Sequence, residues 1–175
     1  NDGTLKAGAK VLYITAKTAK TVSTTVNTGK SETITGLQSI IDAYSKGKDK
    51  TPIAFRIIGK VSLSDLDHIS SSAEGLQVKG ATMNMTFEGV GDDATVYGFG
   101  FLLREAVSVE FRNFAIMRCL DDAMSLDTKN SNVWIHNMDL FYGKKGSAAD
   151  QAKGDGTVDI KGNSKYVTVA YNHFW

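Results

Sequence analysis

Apolar residues recur along this chain at alternate positions, and the alternating segments themselves recur. Residues 76–90, 100–114, 124–138 and 158–172 align with one another. Each stretch opens on a short alternating segment, centred on Val78, Leu102, Leu126 and Ile160. Each carries a second one seven residues later, at Met85, Val109, Val133 and Val167. Alternation is the period of a strand, so the pairs Val109/Phe111, Val133/Ile135 and Val167/Val169 are expected to point inward. The first three stretches are spaced by 24 residues and the last step is 34, which predicts a ten-residue insertion in the loop 143–154. Two strands per repeat with a period in the twenties predict a solenoid. No helical periodicity runs through the repeats, which disfavours leucine-rich and helical-repeat solenoids. The expected fold is all-β, a parallel β-helix whose coils stack about 4.8 Å apart. An antiparallel sandwich with evenly spaced strands is the alternative, and the fixed offset in all four repeats argues against it.

The flanks carry different patterns. Thr35-Gly36-Leu37-Gln38 reads as a capping box opening a helix over about 36–46. Leu37, Ile40, Ile41 and Tyr44 form its apolar stripe, and Gly47 is placed to end it. One amphipathic helix ahead of a solenoid predicts an N-terminal cap over the open apolar end. Strands are expected over 11–14 before it and 53–58 after it. Stacked turns then run from about 53 to 175, within a single domain 1–175. Asn113 and Asn137 fall at equivalent turns, where asparagine tolerates left-handed backbone and its amide can bond along the solenoid axis. The chain stops at Phe174-Trp175, in or just past the second strand lane. An open end exposes apolar surface and unpaired backbone, so a cover is expected: further sequence, a complementary C-terminal chain, or self-association as a homo-oligomer.

Composition narrows the function classes. The chain has 175 residues, 42% of them hydrophobic, and a formal net charge of +1. Such a balance gives no field for nucleic acid or a membrane surface. Cys119 is the one cysteine, so no internal disulfide forms. No apolar run is long enough to span a bilayer, and no signal peptide pattern is present.

The carboxylates follow the repeat. Asp121 and Asp155 each stand three residues before an equivalent apolar pair, and Asp122 lies beside the first of them. Asp159 lies between Val158 and Ile160, which face inward, so Asp159 faces out. If the coils stack, Asp121 or Asp122, Asp155 and Asp159 approach one point on the outer face. Clustered carboxylates repel unless a cation compensates them. An all-oxygen set without His or Cys suits Ca²⁺ better than zinc or copper. Three solvated turn aspartates are the plain alternative. Lys153 and Lys161 flank the cluster, either to bind anionic substrate groups as point charges or to offset the aspartates. Trp134 is expected on the outer face, as a stacking platform or packed under a loop. His136 and His173 show no carboxylate partner at triad-like spacing, and Arg118 reads as a surface counter-charge to Asp121 and Asp122.

Three stretches carry a resemblance: Asn132-Val133-Trp134-Ile135-His136-Asn137, residues 150–161 around Asp155-Gly156-Thr157-Val158-Asp159, and residues 166–175 ending in Asn172-His173-Phe174-Trp175. With Arg56-Ile57-Ile58-Gly59-Lys60 and residues 87–94, they resemble the extracellular pectate lyases of polysaccharide lyase family 1. The resemblance covers nearly the whole chain. It implies a right-handed parallel β-helix, secretion, and Asp155 and Asp159 as calcium ligands. A third ligand comes from the preceding turn, Asp121 matching best and Asp122 next. It also implies cleavage of α-1,4-polygalacturonate, or pectin, by calcium-assisted β-elimination. The family's proton-abstracting arginine lies downstream of the matched Asn172-His173-Phe174-Trp175, as do a lysine and another arginine that act on substrate. The four arginines present, Arg56, Arg104, Arg112 and Arg118, match none of these. Activity is therefore expected to need further turns or a partner chain. The alternative is a non-catalytic calcium- and pectate-binding module or scaffold.

Overall fold

The computed structural model describes residues 3–80, 83–143 and 156–175. The chain enters through strand β1 (Lys10–Ile14), a hairpin of β2 (Ser23–Asn27) and β3 (Ser31–Thr35), and helix α1 (Leu37–Tyr44). The coils then follow as β4 (Ile53–Ser62), β5 (Gly75–Lys79), β6 (Met83–Tyr97), β7 (Gly100–Arg104), β8 (Val107–Arg112) and β9 (Ala115–Met117). They continue as β10 (Met124–Thr128), β11 (Ser131–His136), β12 (Asp139–Leu140), β13 (Val158–Ile160), β14 (Lys165–Ala170) and β15 (His173–Phe174). Except in the hairpin, every strand pairing is parallel, and each coil pairs with the next. The fold is a parallel β-helix, as the repeat predicts.

Its walls are three. The first holds β5, β7, β10 and β13. The second runs β1, β4, the first part of β6, β8, β11 and β14. The third is short, made of the ends of β4 and β6 with β9, β12 and β15. Two strands per repeat were expected. The third wall was missed because two or three residues are too few to display an alternation. The second wall keeps the predicted register, with Met85, Val109, Val133 and Val167 in one row, and the wall begins earlier than residue 53, at β1. The extra ten residues of the last coil fall between β12 and β13, outside the described residues.

The first wall corrects the alignment by one position. Val78 pairs with Leu103 and Leu126 pairs with Leu103, so the inward row is Val78, Leu103, Leu126 and Ile160. Leu102 joins Gln77, Ser125 and Asp159 in the opposite row. The cause is local: the turn between β5 and β6 is one residue longer than that between β7 and β8, and a bulge at Asp127 restores the register.

The core is a stack of like side chains. Phe55, Phe87 and Phe111 lie in one row with ring centroids 5.1 and 4.9 Å apart and nearly parallel planes. Phe101 meets both Phe87 and Phe111 edge-on at 5.0 Å from across the coil. Offset stacks and edge contacts suit the ring quadrupole. At the N-terminal end α1 buries Leu37, Ile40, Ile41 and Tyr44 against this core, the cap the stripe predicted. Its N-terminus is not held by a capping box. Gly36 offers no side chain, and Asp67 supplies the cap from a distant loop, accepting from the backbone N–H of Gln38 (2.9 Å) and Ser39 (3.1 Å). A carboxylate there also meets the positive end of the helix dipole.

Left-handed corners also stack. Asn84, Ser108, Asn132 and Tyr166 have φ of 60, 58, 56 and 54°, and Asn113, Asn137 and Tyr171 have φ of 62, 53 and 55°. Asn113 and Asn137 are thus the turn residues expected, joined by their backbones (Asn113 N–H to Asn137 carbonyl, 3.0 Å). Amide side chains that bridge coils come instead from Asn130 and Asn172. Fully buried Asn130 accepts from the Ala106 N–H (3.1 Å) and donates to the Leu103 carbonyl (3.1 Å). Asn130→Ala orphans both backbone groups and should cost about 2–3 kcal/mol, read as a shifted urea midpoint with unchanged slope; a loss under about 0.5 kcal/mol would mean that water replaces the amide.

Candidate functional site

Four of the sequence-predicted residues lie on one edge of the first wall. Asp121 and Asp122 sit in the turn before β10; Asp159 is on β13 and Lys161 follows it. Ser125 pairs with Asp159, as the repeat requires. Gly100 fixes the turn: a Cβ there would run into the backbone carbonyls of Asp122 and Ala123. Asp121 is half-buried, with its Oδ1 shielded from solvent. Asp122 is buried, and its Oδ1 lies 3.9 Å from where a Cβ on Gly156 would stand, so its carboxylate faces the start of the next coil. Asp155, immediately before Gly156, and Lys153 fall outside the described residues. Asp159 is half exposed, and Lys161 donates to its Oδ2 at 3.0 Å. That bond, with the nearby charges of Asp159, Asp122 and Asp127, outweighs partial burial and raises the Lys161 pKa above the ordinary lysine value. Among the described residues no three His, Cys, Asp or Glu side chains are grouped as metal ligands would be. The edge brings the Asp122 carboxylate near Gly156, with Asp159 three residues further along the same coil.

The outer row of the second wall is closed on itself. Tyr13, Arg56, Glu88, Arg112 and His136 are in register across successive coils. Glu88, only 6% exposed, accepts from Arg56 Nε and from Arg112 Nη2 (2.6 Å) and Nε (3.0 Å). Arg112 Nη1 also reaches Glu110 (3.1 Å), whose Oε1 lies 3.0 Å from His136 Nε2. Burial opposes ionisation of Glu88, but the two guanidinium partners prevail and hold its pKa below the ordinary glutamate value. His136 therefore has a carboxylate partner that sequence spacing did not show, because Glu110 belongs to the neighbouring coil. His173 likewise lies 2.9 Å from Asp139 Oδ1. The signal was present in the register, since Glu110 pairs with Trp134, two residues from His136. Trp134 stacks on His136 at 3.8 Å. Exposed Arg118 adopts a φ of 52° and, among the described residues, meets no carboxylate.

No protein-family model matches the chain. Curated relatives do. A pectate lyase 2 of Pectobacterium carotovorum is 31% identical over 110 residues, which is 59% of this chain and 29% of that protein. A pectate lyase A of Emericella nidulans is 33% identical over 90 residues, 50% of this chain and 26% of that protein. Over these spans the chain is similar to pectate lyases. The matched part is under a third of the length of those curated proteins. The fold of the chain is shared with solved structures across nearly its whole length. A Bacillus sp. N165 pectate lyase in complex with trigalacturonate matches with a TM-score of 0.68 at 23% identity, covering 98% of this chain and 49% of that one. A thermostable pectate lyase, PL 47, matches with a TM-score of 0.61 at 16% identity over 97% and 53%. At those identities the structures speak for the fold.

Glu88 sets a pH dependence for the stability of this chain. Its folded pKa is depressed, so its contribution to stability is complete above the ordinary carboxylate range and is lost as pH falls through the folded value. Glu88→Gln should cost about 3 kcal/mol at neutral pH and progressively less in acid. Urea unfolding at both pH values checks this; an equal loss at both would assign the cost to packing.

Proposed function

We propose that these coils form the calcium-binding part of a pectate lyase-type site that cleaves polygalacturonate or pectin by β-elimination. The observation that carries the reading is the first-wall edge, where the Asp122 carboxylate faces Gly156 and Asp159 stands beyond it on the next coil. The sequence kinship with pectate lyases supports it.

Asp122, Asp155 and Asp159 would hold Ca²⁺, with Asp121 behind them. The donor set fits: the side chains are hard oxygen ligands on short stems, and a site at an outer edge leaves positions for water and substrate. Bound there, Ca²⁺ neutralises the uronate carboxylate and makes the neighbouring C5 proton more acidic. The chain's own residues prepare that role. Asp122 is buried in a turn whose backbone packs directly on Gly100. Lys161 compensates Asp159, and it would offer its charge to a sugar carboxylate if a cation took over Asp159; Lys153 is proposed to do the same. The proton-abstracting arginine belongs, by the resemblance, to a coil after Trp175. Completion by further turns, a second chain or a homo-oligomer, and secretion to reach a polymeric substrate, are parts of the same proposal. Among the described residues no helix is long and apolar enough to cross a membrane.

The test is the ultraviolet absorbance of unsaturated product released from polygalacturonate, by this chain alone and with its coils completed. Product should form only with Ca²⁺ and stop on adding chelator; turnover that persists in excess chelator would refute the calcium role. Asp122→Asn and Asp159→Asn should each weaken Ca²⁺ binding at least about tenfold with little change in melting temperature, since each swap keeps the shape of the side chain. Calcium titration and thermal melts separate the two effects, and collapse of both variants would make these carboxylates structural.

A further inference from the structure

The N-terminal segment crosses the outer face of the second wall and closes a cavity of about 90 Å³ there. It is anchored at Gly3, whose carbonyl accepts from Arg112 Nη1, and by Lys6. The Lys6 ammonium donates to Asn84 Oδ1 and to Ser108 Oγ (3.0 Å). Asn84, Ser108 and Asn132 line the cavity as successive members of one left-handed corner row, with Trp134 and Glu110 beside them. Their polar side chains therefore recur at the coil spacing of about 4.8 Å.

The charge balance in this cavity is uneven. Glu110 is already engaged by Arg112 and His136. Lys6 is exposed and bonds only neutral oxygens, with no carboxylate among the described residues. An ammonium ion held by an amide and a hydroxyl, beside an aromatic face, matches a ligand with one negative charge and several hydroxyls. The volume takes about three waters, or a carboxylate with its adjacent hydroxyl-bearing carbon, so a larger ligand would leave its remainder at the mouth.

We propose that this cavity under the N-terminal segment is a second binding site, separate from the first-wall aspartates, that takes the carboxylate end of a sugar acid through Lys6, Asn84 and Ser108. It lies on a different wall from the carboxylate edge and needs no metal ion. The reading does not depend on lyase activity.

The experiment titrates galacturonate, glucose and acetate into the full chain in the presence of chelator, by calorimetry and tryptophan fluorescence. Galacturonate should bind and perturb the emission, glucose should not bind measurably, and acetate should bind more weakly than galacturonate. Lys6→Gln should weaken galacturonate at least about tenfold, and Lys6→Arg should retain most of the affinity. Lys6 is at the surface, so equal melting temperatures will show that Lys6→Gln is folded. No binding of galacturonate, equal binding of glucose, or equal affinity in Lys6→Gln would overturn the proposal.

Discussion

Parallel strands pair along this molecule only if every coil bends at the same places. The backbone enforces that through residues in the left-handed region, which L-amino acids other than glycine and asparagine seldom adopt. Some corners use asparagine, where the cost is small. Ser108, Tyr166 and Tyr171 occupy the same conformation without that advantage, and the hydrogen-bonded ladder on either side over-determines them. The aromatic stack, the inward valine row and the aligned outer rows all follow from this repetition. A residue's neighbours are then its counterparts one coil before and one coil after.

That rule explains what was legible in the sequence. Val109, Phe111, Val133 and Ile135 were readable because β-branched and aromatic residues alternate over a full strand and recur at one spacing. The first wall was readable only to within one position, because the extra turn residue after β5 and the bulge at Asp127 cancel each other. A linear alignment absorbs both without showing either. The α1 stripe was plain, but its cap was not, since Asp67 is supplied from a distant loop. The third wall was invisible for want of length. For the candidate site, Asp159 and its partner Ser125 were legible from register. The burial of Asp122 was not, because it depends on how the turn before β10 packs against Gly100.

The two outer faces show opposite electrostatic designs. On the second wall, opposite charges alternate from coil to coil, Arg56 to Glu88 to Arg112, each held by bidentate or short contacts in a largely buried setting. Such a row is satisfied and rigid. On the first wall, acidic groups gather at one edge with a single lysine bridging to Asp159. The first pattern braces the coils. The second leaves Asp159 half exposed, with Lys161 as its counter-charge.

The last coil is ten residues longer than its predecessors, yet Val133 still sits beside Val167 and Leu140 beside Phe174. Path length between walls is therefore decoupled from the rise of the solenoid. A corner can be lengthened without disturbing any pairing on either side. In a scaffold of this kind, new recognition elements can be grafted at a bend while the stacked walls keep the geometry of the neighbouring carboxylates unchanged.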